Sequence, residues 1–279
     1  MLQIDDNINK TLYNLIVEYS SNNKPVDNYF IKTVINTIIE YAELNDFYDT
    51  FTIDNKLDSL GEHNSKTKNI SINLDAIYKK IKKNHYDFTN NEHQTYKYLA
   101  VILIIFHELE HVNQDKLMEE NNTLESNILT ESRRLYEIAI INFYKNQHDL
   151  AIKRNIILLS QVIKYRSLYY KYYDLAPQER LADLSSYTNC LYISKKLKIT
   201  NITNYLKKKS KLTLLRGYKT TLIPTKYYIE KLNPKFDNWS YIEEQGRDLN
   251  LKERMSLGLE ISNEEYQKVK KKSNKFLSK

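Results

Sequence analysis

Glycine and proline are scarce in this chain, which has four of each among its 279 residues. All-β folds need a turn about every dozen residues, and glycine and proline supply most of those turns. The scarcity therefore argues against a sandwich, a propeller or a barrel. Apolar residues at 41% and charged residues at 28% are ordinary for a globular chain and exclude disorder of the whole chain. The expected fold class is mainly α (α+β).

Three features bear on location. The longest uninterrupted apolar run, Leu99–Phe106, has eight residues, whereas a membrane span needs about 20. The opening residues Met1–Asp6 are polar and acidic, so no secretory leader is expected. The single cysteine, Cys190, cannot form an intramolecular disulfide, which suits a reducing compartment. We therefore expect a cytoplasmic protein without a membrane segment.

The net charge of +7 is distributed unevenly along the chain. Residues 201–279 carry 18 Lys and Arg against 9 Asp and Glu, whereas residues 1–200 carry 24 against 26. The positive excess is concentrated at Lys207–Lys211 and Lys268–Lys279. Such segments can bind nucleic acid or an acidic partner, but short lysine runs are more often a solvated helix face and a frayed terminus.

Apolar residues at helical spacing predict two N-terminal helices, over about Asn7–Glu18 and Asp27–Leu44. The pattern then changes to alternation of apolar and polar residues at Phe51–Asp54 and Asn69–Leu74. This alternation predicts strands of a small antiparallel sheet, with Gly61–Ser65 between them as a turn.

The rest of the chain is predicted to be helical. Thr89-Asn-Asn is a typical helix cap and predicts a long helix over about Glu92–Glu120. Pro177 fits the first turn of another helix, which is predicted to continue to about Lys198. The remaining predicted helices cover about Thr123–Lys145, Asp149–Tyr173, Tyr227–Leu232 and Leu249–Leu259.

The long helix contains the sequence His107-Glu-Leu-Glu-His111. Side chains four residues apart project from one helix face, so His107 and His111 can reach a single metal ion. Neutral imidazole is a favoured zinc ligand, and Glu108 lies close enough to take a proton from a water molecule on the metal. The alternative is a pair of surface histidines on a polar stretch.

A catalytic zinc ion needs a third protein ligand. Glu179 and Asp183 are four residues apart after the Pro177 break, with the small residue Ala182 beside them. Glu179 could offer a carboxylate to zinc, and Asp183 could accept a hydrogen bond from a ligand imidazole. The alternative for both is an ordinary charged helix surface. The rival third ligands are Glu125, Glu131, Glu137 and His148.

These residues together resemble the gluzincin branch of zincin metallopeptidases, and the size and layout are similar to the small intracellular ImmA/IrrE-type metallopeptidases. The resemblance implies that His107, His111 and Glu179 bind zinc, that Glu108 is the general base and that Asp183 orients His107. It also implies an antiparallel sheet whose edge strand, Asn69–Leu74, takes an extended peptide substrate, followed by an active-site helix and a glutamate helix.

The resemblance covers roughly residues 45–200. The expected organisation is a helical segment over 1–45, a zincin-like metallopeptidase domain over 46–200, and a basic, mostly helical region with a frayed tail over 201–279.

Two features depart from that family. Glu110 places a charge at a motif position that is usually uncharged, and on a helix flank we expect it to face solvent. The interval of 68 positions from His111 to Glu179 is longer than in compact members, and the two helices predicted there would return the chain to the metal. The residue that stabilises the oxyanion stays unassigned among 24 tyrosines, of which Tyr172, Tyr173 and Tyr187 flank the glutamate segment.

The predicted function is hydrolysis of a peptide or protein substrate with Zn2+ as cofactor. One alternative is a zinc hydrolase that cleaves another kind of bond. Another is a non-catalytic protein, stabilised by zinc or bound to nucleic acid or a partner through its basic C-terminal region. The salt dependence of activity or binding distinguishes a hydrolase from a nucleic-acid-binding protein. Binding to phosphates weakens steeply as the salt concentration rises, whereas metal-dependent hydrolysis does not.

Overall fold

The structure is a computed structural model that describes residues 1–84, 89–120, 126, 129–130 and 177–218. It is mainly helical with one small three-stranded mixed sheet, which confirms the predicted class at that level. The helices are α1 (Asp6–Ser21), α2 (Asn28–Ala42), α3 (Leu74–Asn84), α4 (Asn90–Glu120), α5 (Pro177–Lys196) and α6 (Thr200–Tyr218). A short 3-10 helix, Asn45–Phe47, precedes the strands β1 (Thr50–Ile53), β2 (Gly61–Asn64) and β3 (Asn69–Ile72).

The two N-terminal helices form where apolar spacing predicts them. Each begins with an aspartate cap: Asp5 accepts hydrogen bonds from the backbone N–H groups of Asn7 and Ile8, and Asp27 accepts one from Phe30. Their apolar residues are buried on one face of each helix, at Leu12, Leu15, Ile16, Phe30, Ile31, Val34, Ile35, Ile38 and Ile39.

A tyrosine of α4 ties the two N-terminal helices to the core. Tyr98 is fully buried, and its hydroxyl donates to the carbonyl oxygens of Tyr19 (3.1 Å) and Lys24 (2.5 Å). Its ring packs against those of Tyr19 and Phe30, with centroid distances of 6.1 and 5.7 Å. The hydroxyl therefore satisfies backbone groups around the connection between α1 and α2.

The sheet differs from the prediction in two ways. The strand order is β1-β3-β2, with β1 parallel and β2 antiparallel to β3, so the sheet is mixed rather than antiparallel. Most of the turn expected at Gly61–Ser65 is strand β2. The strand expected at the edge, Asn69–Leu74, is represented by β3, which is the central strand. The prediction failed because Ile70 and Ile72 alternate as any half-buried strand does, and alternation does not specify strand order.

Helix α4 begins at the predicted cap. Thr89 and Glu92 form a capping box, in which the Glu92 backbone N–H donates to Thr89 Oγ1 (3.3 Å) and the Thr89 backbone N–H donates to Glu92 Oε2 (3.1 Å). Glu92 also accepts two hydrogen bonds from Asn201 on α6, from its backbone N–H (3.1 Å) and its Nδ2 (2.9 Å). Burial raises the pKa of Glu92, but these hydrogen bonds outweigh it and lower that pKa.

The chain divides into two compact units, one of residues 1–119 and 181–212 and the other of residues 120–180 and 213–279. Helices α1–α4, the sheet and most of α5 and α6 belong to the first unit. The boundaries expected at residues 45 and 200 stay predictions. None of the described helices has the length and apolar character that a membrane span requires.

The basic segment at 207–211 lies on helix α6. Lys207, Lys208 and Lys211 are exposed, whereas Leu206 and Ser210 are buried. These lysines therefore occupy the outer face of an amphipathic helix. Several predicted segments lie outside the described residues: the helices over Thr123–Lys145, Asp149–Tyr173, Tyr227–Leu232 and Leu249–Leu259, and the tail Lys268–Lys279. Within them the structure describes only residues 126 and 129–130.

Candidate metal centre

The two histidines of the motif lie one turn apart on α4. Their ring centroids are 5.0 Å apart, and the rings are nearly perpendicular at 81°. On the same helix Phe106, Leu109 and Val112 are fully buried, so the apolar side of α4 is fixed in the core. This packing gives the half-buried His107 and His111 a rigid base.

A carboxylate of α5 lies beside the first histidine. Oδ1 of Asp183 is 3.3 Å from Nδ1 of His107. An imidazole that donates its Nδ1–H to a carboxylate presents Nε2 as the lone-pair nitrogen, which is the tautomer needed for a metal ligand. The structure therefore places the carboxylate of Asp183 beside Nδ1 of His107, and an orienting role for Asp183 stays a prediction.

The other histidine, His111, also has a hydrogen-bond acceptor beside its Nδ1. Oε1 of Gln114, a residue that is only 3% exposed, is 3.1 Å from Nδ1 of His111. The same tautomer argument then applies to His111. Sequence reasoning missed Gln114, although its position three residues after His111, on the same helix face, was an available signal.

Glu179 is the third member of the cluster. One nitrogen of His107, one nitrogen of His111 and one carboxylate oxygen of Glu179 all lie within 4.8 Å of one another. Donors bound to one tetrahedral zinc ion are about 3.4 Å apart, since each bond is about 2.1 Å long. Small side-chain rotations would close the set, so two imidazoles and one carboxylate fit a metal ion here. No other group of His, Cys, Asp and Glu side chains within the described ranges meets this test.

Glu108 is held beside the cluster by close packing with strand β2. Its side chain is 5% exposed. A Cβ atom added to Gly61 would be 2.7 Å from Glu108 Oε1 and 2.6 Å from Ile104 Cγ2, so only glycine leaves room for the carboxylate. Sequence reasoning treated Gly61 as part of a turn and missed this role, because close approach between distant residues leaves no local pattern.

A second pair of residues links β2 to the same helix face. His63 Nε2 is 2.8 Å from Oδ2 of Asp115, which lies one turn after His111. The His63 side chain is 2% exposed, and its Nδ1 is buried without a hydrogen-bond partner among the residues that the structure describes. This pair fixes β2 on α4 one turn beyond the candidate ligands.

Glu110 does not face solvent, so the prediction for it was wrong. The residue is fully buried, and its Oε2 accepts a 2.5 Å hydrogen bond from the backbone N–H of Leu2. The Met1 ammonium nitrogen lies 3.8 Å from its Oε1. Burial raises the pKa of Glu110, and these neighbours oppose that rise. The N-terminal segment therefore covers this buried carboxyl group and supplies its polar partners.

The rival third ligands Glu125, Glu131, Glu137 and His148 lie outside the described residues. The same holds for Tyr172 and Tyr173, whereas Tyr187 is half-buried on α5, one turn after Asp183. No family model, curated protein or solved structure matches this chain.

Proposed function

We propose that this protein is a zinc-dependent metallopeptidase whose metal ligands are His107, His111 and Glu179. The observation that carries the proposal is the convergence of two imidazoles and a carboxylate within 4.8 Å, with Glu108 on the adjacent helix position. Two histidine nitrogens and one glutamate oxygen are one of the ligand sets that hold zinc in catalytic sites with an open position. Zinc, when bound, acidifies a water molecule and polarises a carbonyl group.

The protein residues have separable tasks in this proposal. Glu108, held against Gly61, accepts a proton as water attacks the carbonyl carbon and returns it to the leaving amine. Asp183 and Gln114 keep His107 and His111 in the tautomer that presents Nε2. Each residue is held by packing or a hydrogen bond before substrate arrives, which lowers the reorganisation needed during the reaction.

A peptide is the substrate class that the sheet favours. Strand β2 is at the end of the strand order, and among the described strands only β3 pairs with it. Because Gly61 of β2 lies against Glu108, an extended peptide added alongside β2 would bring its backbone near the general base. In this proposal β2 takes the place expected for Asn69–Leu74. A cytoplasmic location stays our expectation.

Metal analysis of the purified chain tests the first part of the proposal. We expect one zinc per chain in the parent protein and its loss in His107→Ala. The matched control is His93→Ala, which removes a histidine from the first turn of the same helix and should retain the metal. Retention of zinc in His107→Ala would contradict the ligand assignment.

Hydrolysis of a mixed peptide library, read by mass spectrometry, tests the second part. Glu108→Gln should keep zinc and lose hydrolysis, because it removes the base and preserves all three ligands. A zinc-loaded parent that cleaves no peptide would contradict the peptidase assignment. Loss of zinc in Glu108→Gln would instead make Glu108 a ligand.

A further inference from the structure

One residue near the N-terminus bridges the two helices that carry the candidate metal ligands. The Leu2 backbone N–H donates to Glu110 Oε2 on α4 (2.5 Å). The Leu2 carbonyl oxygen accepts hydrogen bonds from Ser185 Oγ (3.0 Å) and Asn189 Nδ2 (3.2 Å) on α5. The Leu2 side chain is itself 5% exposed. The backbone N–H of Leu2 therefore binds to α4, and its backbone carbonyl oxygen binds to α5.

The bridge meets each helix beside the candidate site. On α4, Glu110 lies between the general base Glu108 and the ligand His111. On α5, Ser185 lies two residues after Asp183, the partner of His107. Any change in the spacing of the helices at Leu2 would therefore change the distances between the histidines and the residues at the start of α5.

The side chains that hydrogen-bond to Leu2 are buried, so breaking these hydrogen bonds is costly. Glu110 and Ser185 are fully buried, and Asn189 is 5% exposed. A buried carboxylate that loses a hydrogen-bond donor must be resolvated or protonated, and either change is costly in a close-packed interior. Ile4 adds a longer contact to the same helix, with its backbone N–H 3.5 Å from Asn189 Oδ1.

We propose that Leu2 is a positioning residue, whose backbone holds α4 and α5 at the spacing that the zinc site needs. This inference rests on the proposed function, because it takes the cluster of His107, His111 and Glu179 to be a zinc site. Leu2 makes no contact with substrate in this proposal. It acts on zinc affinity through Glu110 on one helix and through Ser185 and Asn189 on the other.

Two substitutions at Leu2 separate the hydrogen bond from the side chain. Leu2→Pro removes the backbone N–H that Glu110 accepts, whereas Leu2→Ala keeps it and removes most of the buried side chain. We expect zinc affinity, measured by competition with a chelator, to be on the order of tenfold weaker in Leu2→Pro than in Leu2→Ala, as for other supports of metal ligands.

Variants of Glu110, which accepts the hydrogen bond from Leu2, test the same contact independently. Glu110→Gln keeps an oxygen that can accept from Leu2 and should bind zinc more tightly than Glu110→Ala. The matched control is Asn113→Ala, which removes a different hydrogen bond to Glu110, 3.4 Å long, and leaves the Leu2 contact in place. It should bind zinc like the parent.

The bridge through Leu2 also predicts that substitutions at Leu2 and at its partners on α5 have non-additive effects on zinc affinity. Ser185→Ala combined with Asn189→Ala removes both donors to the Leu2 carbonyl. Its effect on zinc affinity should be much smaller in a Leu2→Pro background than in the parent, because both changes release the same segment. Purely additive effects would contradict a shared bridge.

Hydrogen exchange in the metal-free protein separates failure of this inference from failure of the proposed function. We expect faster amide exchange over residues 107–112 and 183–190 in Leu2→Pro than in Leu2→Ala. A parent without zinc affinity would overturn the proposed function, and exchange would then decide the bridge alone. Equal exchange and equal zinc affinity in the two variants would overturn the bridge while leaving a zinc-binding parent intact.

Discussion

The carboxylate of Glu108 lies in the space that a side chain at Gly61 would occupy. The nearest approach that a Cβ atom would make is 2.6 Å to Ile104 Cγ2, followed by 2.7 Å to Glu108 Oε1 and 3.0 Å to Glu108 Cγ. A methyl group at Gly61 would overlap both the buried, β-branched Ile104 and the carboxylate of Glu108, and the carboxylate, at the end of a flexible side chain, is the group that moves more easily. The position of the proposed base is therefore set by the absence of a side chain on strand β2.

Gly61→Ala should move the base without removing a metal ligand. We expect retention of zinc and a fall in peptide hydrolysis of about 100-fold, the cost of a displacement of about 1 Å in a reacting group. Steady-state kinetics and metal analysis on the same preparation measure the two effects. Glu62→Ala, at the exposed neighbouring position, is the control and should keep parental activity. Parental hydrolysis in Gly61→Ala would show that Gly61 does not set the position of the Glu108 carboxylate.

Asp183→Asn should weaken zinc binding about 10–100-fold, as loss of an orienting carboxylate usually does. The physical reason is that a neutral amide supports the Nδ1–H of His107 less well than a carboxylate does. Zinc titration against a chelator measures the change. Asp115→Asn removes another carboxylate that contacts a histidine, His63, and should leave the affinity within about twofold. Similar losses in the two variants would contradict a specific role for Asp183.

Gln114→Ala should weaken zinc binding less than Asp183→Asn, by about tenfold. It removes a neutral acceptor from Nδ1 of His111, and neutral hydrogen bonds are weaker than those to a carboxylate. NMR of the imidazole nitrogens provides a direct readout, because the tautomer of His111 should become mixed in the metal-free variant. An unchanged Nδ1–H tautomer would show that another group fixes the ring.

Glu179→Ala should reduce zinc affinity far more than Glu125→Ala, Glu131→Ala, Glu137→Ala or His148→Ala. Only Glu179 lies with both histidines in the cluster found among the described residues. Metal titration, with circular dichroism of each variant to show that it is folded, makes the comparison. Parental zinc affinity in Glu179→Ala, with loss in one of the others, would reassign the third ligand and end the resemblance to gluzincins beyond the two histidines.

Glu92→Gln should lower the free energy of unfolding at neutral pH by about 1–3 kcal/mol, the range for hydrogen bonds to a buried charged group. Its pKa is lower in the folded protein than the ordinary value of 4.5, so the ionised form stabilises the fold above about pH 4.5. That contribution is lost as the pH falls through the lowered pKa. Denaturant unfolding from pH 3 to pH 7 should therefore show a weaker pH dependence in the variant, and parallel curves would contradict this.

The helices and the pairing of His107 with His111 could be predicted because they depend on residues close together in the sequence. Apolar spacing, the Asp27 cap of α2 and the Thr89 capping box act within one or two turns. The same local rules placed a helix start at Pro177 and therefore put Glu179 and Asp183 one turn apart.

The strand order, the environment of Glu108 and the burial of Glu110 were decided only in the tertiary structure. Gly61 and Glu108 are remote in sequence, and Leu2 and Glu110 are 108 positions apart, so no periodic pattern connects them. A motif specifies which side chains share a helix face, whereas packing of distant segments specifies what faces them. For that reason the sequence indicated the candidate metal ligands on α4 and Asp183 as a partner of His107, and only the fold showed that Gln114 contacts His111 and which segment covers the helix beside them.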